Sequence, residues 1–233
     1  MLIEQPPHLY RMLFPNAVWR IENPVRKTVY LTFDDGPIPE VTPWVLDLLD
    51  RYGVQATFFC VGDNVRKHPE VYRQVIEKGH RTGNHTFHHL QGWKHSLGKF
   101  LDNAGQAREL IDSSLFRPPH GHLGMNQCRK LQDAGYRIIM WDVVTRDYSR
   151  FMSPGQVLQN VKRYTRTGSI LVFHDSLKAE KNLRYALPRA IEWLLKEGYT
   201  FELVPLEKGK KFTENIPETC LIFYHNGKKK IYT

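Results

Sequence analysis

The stretch Thr28-Val-Tyr-Leu-Thr-Phe33, followed at once by Asp34-Asp35-Gly36, begins the part of the chain whose pattern decides the fold. β-Branched and aromatic residues dominate its first six positions, which is typical of a buried strand. The two aspartates and the glycine mark a turn where that strand ends. Downstream, the apolar residues of segment 42–53 share one helical face and a glycine closes the segment. The sequence therefore predicts a strand followed by a helix.

The same alternation continues to about residue 205, with proline or serine opening several helical segments and glycine closing most of them. The last helix ends at Gly198 and contains Pro188, which either kinks it or marks a restart. Alternation of this kind is typical of repeated βα units around a mostly parallel sheet. The sequence predicts seven strands, at 28–33, 56–61, 81–85, 115–117, 137–143, 169–174 and 200–204.

The length of 233 residues and the 41% hydrophobic content predict a single domain. Its parts are an N-terminal cap (1–25), the βα region (26–205) and an extension (206–233) in which Asn226-Gly227 predicts the turn of a β-hairpin. No run approaches the roughly 18 apolar residues of a membrane span, and no signal peptide is visible at the N-terminus. We therefore expect a soluble protein that is cytoplasmic as read from this sequence, with the cell envelope left open.

Basic residues outnumber acidic ones by 33 to 24, giving a formal charge of +9. Six lysines follow Leu206, and this tail predicts either a solubilising edge or a peripheral contact with a membrane surface. No nucleic-acid motif accompanies the charge, so no nucleic-acid partner is expected. The three cysteines, Cys60, Cys128 and Cys220, are odd in number and far apart, which predicts buried thiols in a reducing compartment.

Polar clusters fall at or just beyond the carboxyl ends of the predicted strands. In a parallel barrel those strand ends share one mouth, where the active sites of such barrels lie. We therefore expect the clusters to meet there. They are Asp34-Asp35-Gly36, His85 to His89, Arg117-Pro-Pro-His-Gly121, Asp142 to Asp147, and His174-Asp175.

The first two clusters hold the donor types of a metal site. His85 and His89 can both reach one cation if their segment is helical or tightly turned, and one of the two adjacent aspartates can join them while the other faces substrate. Two imidazoles and one carboxylate leave coordination positions open, as in catalytic sites. The same set also serves iron and oxygen chemistry, but Asp34, Arg117 and His174 are better explained by hydrolysis.

The remaining clusters supply candidate acid–base groups. Because Pro118 and Pro119 lack N–H groups, His120 has the first free main-chain donor after Arg117, which predicts half of an oxyanion hole. His174 ends an apolar strand and is a candidate general acid. Either Asp147 or Asp175 can orient or tune it.

At these residues the chain resembles the polysaccharide deacetylases of carbohydrate esterase family 4, which share the NodB-homology domain. The resemblance covers roughly residues 26–205, through Thr32-Phe-Asp-Asp-Gly36 and His85-Thr-Phe-His-His89. It implies a distorted (β/α)7 barrel and one divalent metal ion, usually zinc. By the same resemblance Asp34 is the base, Asp35, His85 and His89 hold the metal, Arg117 orients Asp34, Asp147 tunes His174, and His174 is the acid.

Three positions depart from that family's pattern. His120 replaces a tyrosine, Tyr148 a tryptophan and Val172 a leucine, and we expect Tyr148 and Val172, together with Pro119, to line the substrate pocket. The backbone N–H of His120 is unaffected by the first change. A smaller Val172 would either admit a different acyl group or leave the pocket looser.

The resemblance implies a metal-dependent hydrolase that removes N-acetyl groups from an N-acetylated sugar or polysaccharide, peptidoglycan-like or chitin-like. Two alternatives stay open. One is a hydrolase of another acyl group or a cyclic amide on the same scaffold, which the altered pocket permits. The other is a catalytically silent carbohydrate-binding relative, against which stands the presence of the base, the acid and all three metal ligands.

Overall fold

The computed structural model describes residues 4–23, 25–206, 222–225 and 228–231. Its main sheet curls into an incomplete barrel of parallel strands with helices packed around it, so the predicted fold class is confirmed. The strands are β1 Thr28–Asp34, β2 Thr57–Cys60, β3 Arg81–Asn84, β4 Leu115–Phe116, β5 Arg137–Ile138, β6 Val143–Val144, β7 Ile170–His174 and β8 Thr200–Phe201. Their order in the sheet is β5-β4-β3-β2-β1-β7-β6, and β8 pairs with the first residues of β1.

Eight α-helices lie within the described residues. Gly53 ends α2 in the left-handed conformation that glycine favours, and Ser153 caps α7 with Pro154 in its first turn, as the sequence predicted. The last helix, α8, is a single helix that continues through Pro188. The helices are α1 His8–Met12, α2 Thr42–Tyr52, α3 Gly62–Lys67, α4 Pro69–Glu77, α5 Leu97–Arg108, α6 Met125–Asp133, α7 Pro154–Tyr164 and α8 Glu180–Lys196.

Strand β1 shows how side-chain alternation builds the site. Val29, Leu31 and Phe33 pack into the apolar layer between the sheet and helices α2, α7 and α8. The alternate residues face the barrel interior, where Tyr30 joins a second apolar cluster. The same alternation in β7 places Val172 and His174 on the interior side. Because Asp34 and His174 are register partners, the two strands present both side chains at the same mouth.

The predicted strand 137–143 is wrong, because this run forms two short strands at opposite ends of the sheet order. Between β5 and β6 the chain pairs with the N-terminal segment instead. Val18 donates its N–H to the Ile138 carbonyl and accepts the Met140 N–H, both at 2.8 Å. The N-terminal cap therefore contributes to the seam of the barrel, and it contains the short helix α1.

The C-terminal extension contains a two-stranded antiparallel hairpin, β9 Ile222–His225 and β10 Lys228–Ile231, in which Lys228 pairs with His225. This agrees with the predicted hairpin; the Asn226-Gly227 turn itself, the lysines at 208, 210 and 211, and Cys220 lie outside the described residues. Cys60 and Cys128 are buried free thiols. Among the described helices, none is long and apolar enough to span a bilayer.

Candidate active site

A cavity of about 260 Å³ opens at the carboxyl ends of the strands. All five predicted polar clusters contribute at least one residue to its lining. Its lining residues are Asp34, Asp35, His85, His89, His120, Gly121, Trp141, Val144, Tyr148, Val172, His174 and Lys178.

Asp35, His85 and His89 form the part of the cavity that can hold a metal ion. One donor atom from each lies within 4.8 Å of the others. The Asp35 Oδ1 is 3.1 Å from His89 Nε2 and 3.8 Å from His85 Nε2. The histidines converge through a tight turn rather than a helix, since Thr86 and His89 have φ of 62° and 54°. Two nitrogen donors and one oxygen donor with open positions fit zinc and similar divalent ions.

The protonation of these groups favours metal binding. His85 Nδ1 lies 2.7 Å from the Arg117 carbonyl oxygen. A carbonyl only accepts, so Nδ1 carries the hydrogen and Nε2 is left free to ligate. Burial lowers the pKa of His85 to about 4. For Asp35, burial acts to raise the pKa, but the hydrogen bond with His89 and the nearby imidazoles outweigh it and hold that pKa below its usual range.

Asp34 is held by Arg117, which is fully buried. The Arg117 Nη1 donates to Asp34 Oδ1 and to Thr32 Oγ1, both at 2.7 Å. Its other nitrogens donate to the Ile139 and Met140 carbonyls, at 3.2 and 3.0 Å. These contacts fix one oxygen of Asp34 and leave the other, Oδ2, 4.0 Å from His85 Nε2 on the metal side of the cavity.

His174 forms the opposite side of the site with Asp147. Its Nδ1 is 2.7 Å from Asp147 Oδ1, and its backbone N–H donates to Asp147 Oδ2 at 2.8 Å. Burial acts to lower the pKa of His174, but the charge of Asp147 and its hydrogen bond outweigh burial and raise that pKa to about 9. The imidazole is therefore protonated near neutral pH, and its Nε2 can donate a proton.

The structure distinguishes between the two aspartates that the sequence left open. Asp175 faces away from the imidazole of His174 and accepts from the Gly36 N–H at 3.1 Å and the Thr42 hydroxyl at 2.6 Å. A Cβ at Gly36 would lie 1.9 Å from an Asp175 oxygen, so only glycine fits there. Asp147 is thus the partner of His174, while Asp175 holds the turn that follows Asp35.

His120 lies in a tight turn with φ of 58°, which brings its ring to 4.7 Å from that of His89. Burial and the neighbouring imidazoles lower the pKa of His120 to about 4, so its ring is neutral. Among the residues that the structure describes, none accepts a hydrogen bond from the His120 backbone N–H. Its use as an oxyanion donor stays a prediction.

The pocket residues differ in their placement. Tyr148 and Val172 line the cavity, and the Tyr148 ring lies 4.7 Å from His174 in an edge-on contact. Pro119 is buried and is not among the lining residues. Asp142 does not reach the cavity; it accepts from Arg11, Arg166 and Ser169, and so ties α1 to the barrel.

Four lining residues were not singled out as site residues: Gly121, Trp141, Val144 and Lys178. Gly121 and Val144 lie within two of the predicted clusters, and Trp141 directly precedes the second of them, so their positions were a usable signal. Gly121 packs so closely on Trp141 that a Cβ would lie 2.3 Å from the indole. Lys178 follows β7 in an irregular segment, and nothing in its local sequence marks it.

Comparison with known proteins gives a consistent result. The sequence profile of the polysaccharide deacetylase family matches residues 22–139. The peptidoglycan-N-acetylglucosamine deacetylase of Bacillus cereus is 33% identical over 195 residues, which are 81% of this chain and 91% of that protein. The structure of Bacillus subtilis PdaA, a family 4 carbohydrate esterase, has a TM-score of 0.72 at 27% identity and covers 86% of this chain and 90% of that one. A pseudoenzyme of carbohydrate esterase family 4 from Bacillus anthracis has a TM-score of 0.72 at 26% identity, covering 82% and 68%.

Proposed function

This chain belongs to the polysaccharide deacetylase family, and on that premise we propose that it is a hydrolase that removes N-acetyl groups from an N-acetylated sugar polymer, peptidoglycan-like or chitin-like. The observation that carries the proposal is the shared cavity. Three convergent metal-ligand side chains, an arginine-bound aspartate and an aspartate-bound histidine all reach it. Metal-assisted hydrolysis of an amide uses a bound ion, a general base and a general acid, and these three elements can supply those roles.

Asp35, His85 and His89 would hold one divalent cation, and we propose zinc because the donor set is two imidazoles and one carboxylate with open positions. When bound, such an ion lowers the pKa of water and polarises an acyl carbonyl. Arg117 leaves Asp34 Oδ2 directed toward the ligand cluster. Asp34 would there take the proton of the attacking water, as general base.

The acid side of the reaction falls to His174. Asp147 fixes its Nδ1, so the proton available for transfer is on Nε2. Because its pKa is raised to about 9, His174 carries that proton near neutral pH and would deliver it to the departing amine nitrogen. The free backbone N–H of His120 would donate to the oxygen that becomes negative in the tetrahedral intermediate.

A second candidate is the hydrolysis of another acyl group on the same scaffold, favoured by the cavity residues Tyr148 and Val172, which differ from the family pattern. A third, a silent relative, is kept because a pseudoenzyme has the same fold.

The cellular location is tested by cell fractionation, which distinguishes a cytoplasmic protein from one in the cell envelope. An N-acetylated wall polymer as substrate favours the envelope.

Acetate release from N-acetylglucosamine oligomers tests the proposal. The enzyme is assayed as purified, after treatment with a chelator, and after zinc is restored. We expect activity to disappear and return. If the restored enzyme binds zinc in one-to-one ratio but releases no acetate, deacetylation of this substrate class is excluded, and a panel of other acyl and cyclic amides decides between the second candidate and a silent relative.

A further inference from the structure

Trp93 is an exposed tryptophan beside the candidate active site, and the proposed reaction gives it no role. Its side chain is 59% exposed, although a single large aromatic side chain on a surface normally buries most of its area. It lies in a short turn, Gly92–Lys94, between β3 and α5. An exposed indole of this kind offers an apolar face to a ligand.

The indole is held in one orientation. Its Nε1 donates to the Leu123 carbonyl at 2.9 Å. One face stacks on the His122 ring, with centroids 4.3 Å apart and planes 8° from parallel. The other face is therefore the one presented to solvent. A rigid aromatic surface loses little conformational entropy when a ligand packs on it.

The turn that carries Trp93 is also fixed from below. The Gly92 N–H donates to the His122 carbonyl at 2.9 Å. Gln127, which is buried, donates from Nε2 to the Gly92 carbonyl at 2.9 Å and to the His95 carbonyl at 3.2 Å. A Cβ at Gly92 would lie 2.4 Å from the His122 carbonyl oxygen, so the close approach requires glycine. The surface formed by Trp93 and His122 is thus built into the fold.

A row of ring contacts joins this surface to the metal side of the cavity. The His89 ring lies 4.7 Å from His120, His120 lies 5.8 Å from His122, and His122 stacks on Trp93. His89 and His120 line the cavity. The exposed indole is therefore a few ring widths from the position where an acyl group would react.

We propose that the exposed face of Trp93, supported by His122, binds a pyranose ring of the same glycan strand whose N-acetyl group enters the cavity. The inference rests on the proposed function and adds a second sugar subsite to it. The C–H face of an equatorially substituted pyranose is flat and apolar, and it packs on an indole while its hydroxyls stay in water. Short substrates that fill only the cavity would not reach this surface.

The test compares wild-type protein with Trp93→Ala on N-acetylglucosamine oligomers from dimer to hexamer. We expect KM for the hexamer to rise about five- to tenfold in the variant, as for loss of one aromatic stack, with kcat unchanged. The dimer should show wild-type kcat and KM, which also demonstrates that the variant folds. Equal KM for the hexamer in both proteins, or an equal rise for dimer and hexamer, would overturn the inference.

Three further variants separate stacking from general damage. Trp93→Phe keeps a flat ring but lacks the indole N–H, and it should retain most of the hexamer affinity. His122→Ala should lose part of it. Tyr185→Ala removes an aromatic side chain of similar exposure, 41%, on the outer helix α8, and should change nothing.

The proposed function and the subsite fail separately. If the wild-type protein releases no acetate from any oligomer, the deacetylase proposal fails, and the subsite is tested by calorimetric titration with the hexamer. Weaker hexamer binding to Trp93→Ala than to wild type then supports the subsite. Equal binding, or no binding to either protein, refutes it.

Discussion

Replacing Arg117 with leucine removes the central cation of the barrel interior. The guanidinium is fully buried and donates to Asp34, Thr32 and two backbone carbonyls. Its Cζ also lies over the face of the Phe59 ring, 4.0 Å from the ring centroid. Leucine would leave a buried carboxylate and two carbonyls without their donors. Removing one partner of a buried ion pair costs about 3–5 kcal/mol in the free energy of unfolding.

For a chain of this size, a loss of about 3–5 kcal/mol corresponds to a fall in Tm of roughly 6–20 °C. The assay is urea unfolding of metal-free protein, followed by far-ultraviolet circular dichroism and by tryptophan fluorescence. A matched control is Arg66→Leu, whose ion pair with Asp63 is on the surface with Arg66 57% exposed, and which should cost less than about 1 kcal/mol.

A double-mutant cycle identifies the origin of the loss. Asp34→Asn combined with Arg117→Leu removes the carboxylate that the single variant leaves unpaired. We therefore expect the double variant to recover about 1–3 kcal/mol relative to additivity. A cost of Arg117→Leu below about 1 kcal/mol, or strict additivity in the cycle, would refute the claim that Arg117 neutralises Asp34 in the interior.

Three other predictions concern the base, the acid and the turn after β1. Asp34→Asn should keep one-to-one zinc binding, measured by titration, while acetate release falls about 10²- to 10⁴-fold; full turnover would remove Asp34 from the reaction. Folding raises the pKa of His174 from 6.5 to about 9, so the His174–Asp147 pair should stabilise metal-free protein fully below about pH 6.5 and lose this contribution as the pH rises through about 9. Urea midpoints measured across that range should show the loss of stability in wild type. The same loss should be absent in Asp147→Asn. Gly36→Ala should destabilise the protein by about 1–3 kcal/mol, because its Cβ would overlap Asp175. Gly98→Ala has no atom within 4 Å of the new Cβ and should stabilise the protein by about 0.5–1 kcal/mol. Thermal unfolding compares the two variants, and equal shifts in Tm would contradict the packing argument.

The sequence was informative where local pattern and tertiary contact agree. In β1 the strict alternation places Val29, Leu31 and Phe33 toward the helices and Thr32 and Asp34 toward the interior. Period-two alternation is a property of the strand itself, so the position of Asp34 at the mouth followed from its place in the run. The approach of His85 and His89 to Asp35 was predictable for a related reason, because both histidines lie just past the carboxyl end of β3.

Prediction was weaker where a partner comes from a distant part of the chain. The run at 137–143 is mostly apolar and β-rich, but its middle pairs with Val18 and it divides between two sheet edges. The local residue pattern does not separate Asp147 from Asp175, and it is the contacts with Gly36 and Thr42 that direct Asp175 away from His174. Lys178 reaches the cavity from an irregular segment, in which the direction of a side chain does not follow from its position in the sequence.

The pairing of Val18 with Ile138 and Met140 has a consequence for how the chain folds. Val18 leaves the ribosome early, but its hydrogen-bond partners are synthesised only after four strands are complete. Contacts this distant in sequence carry a large loop-closure cost and slow the rate of folding. The Ile139 and Met140 carbonyls that hold Arg117 lie on the same late segment. Nascent chains that have not reached residue 140 therefore lack the carbonyls that hold Arg117 in place, so the position of Asp34 is fixed only when the seam closes and not with the earlier appearance of the aspartate.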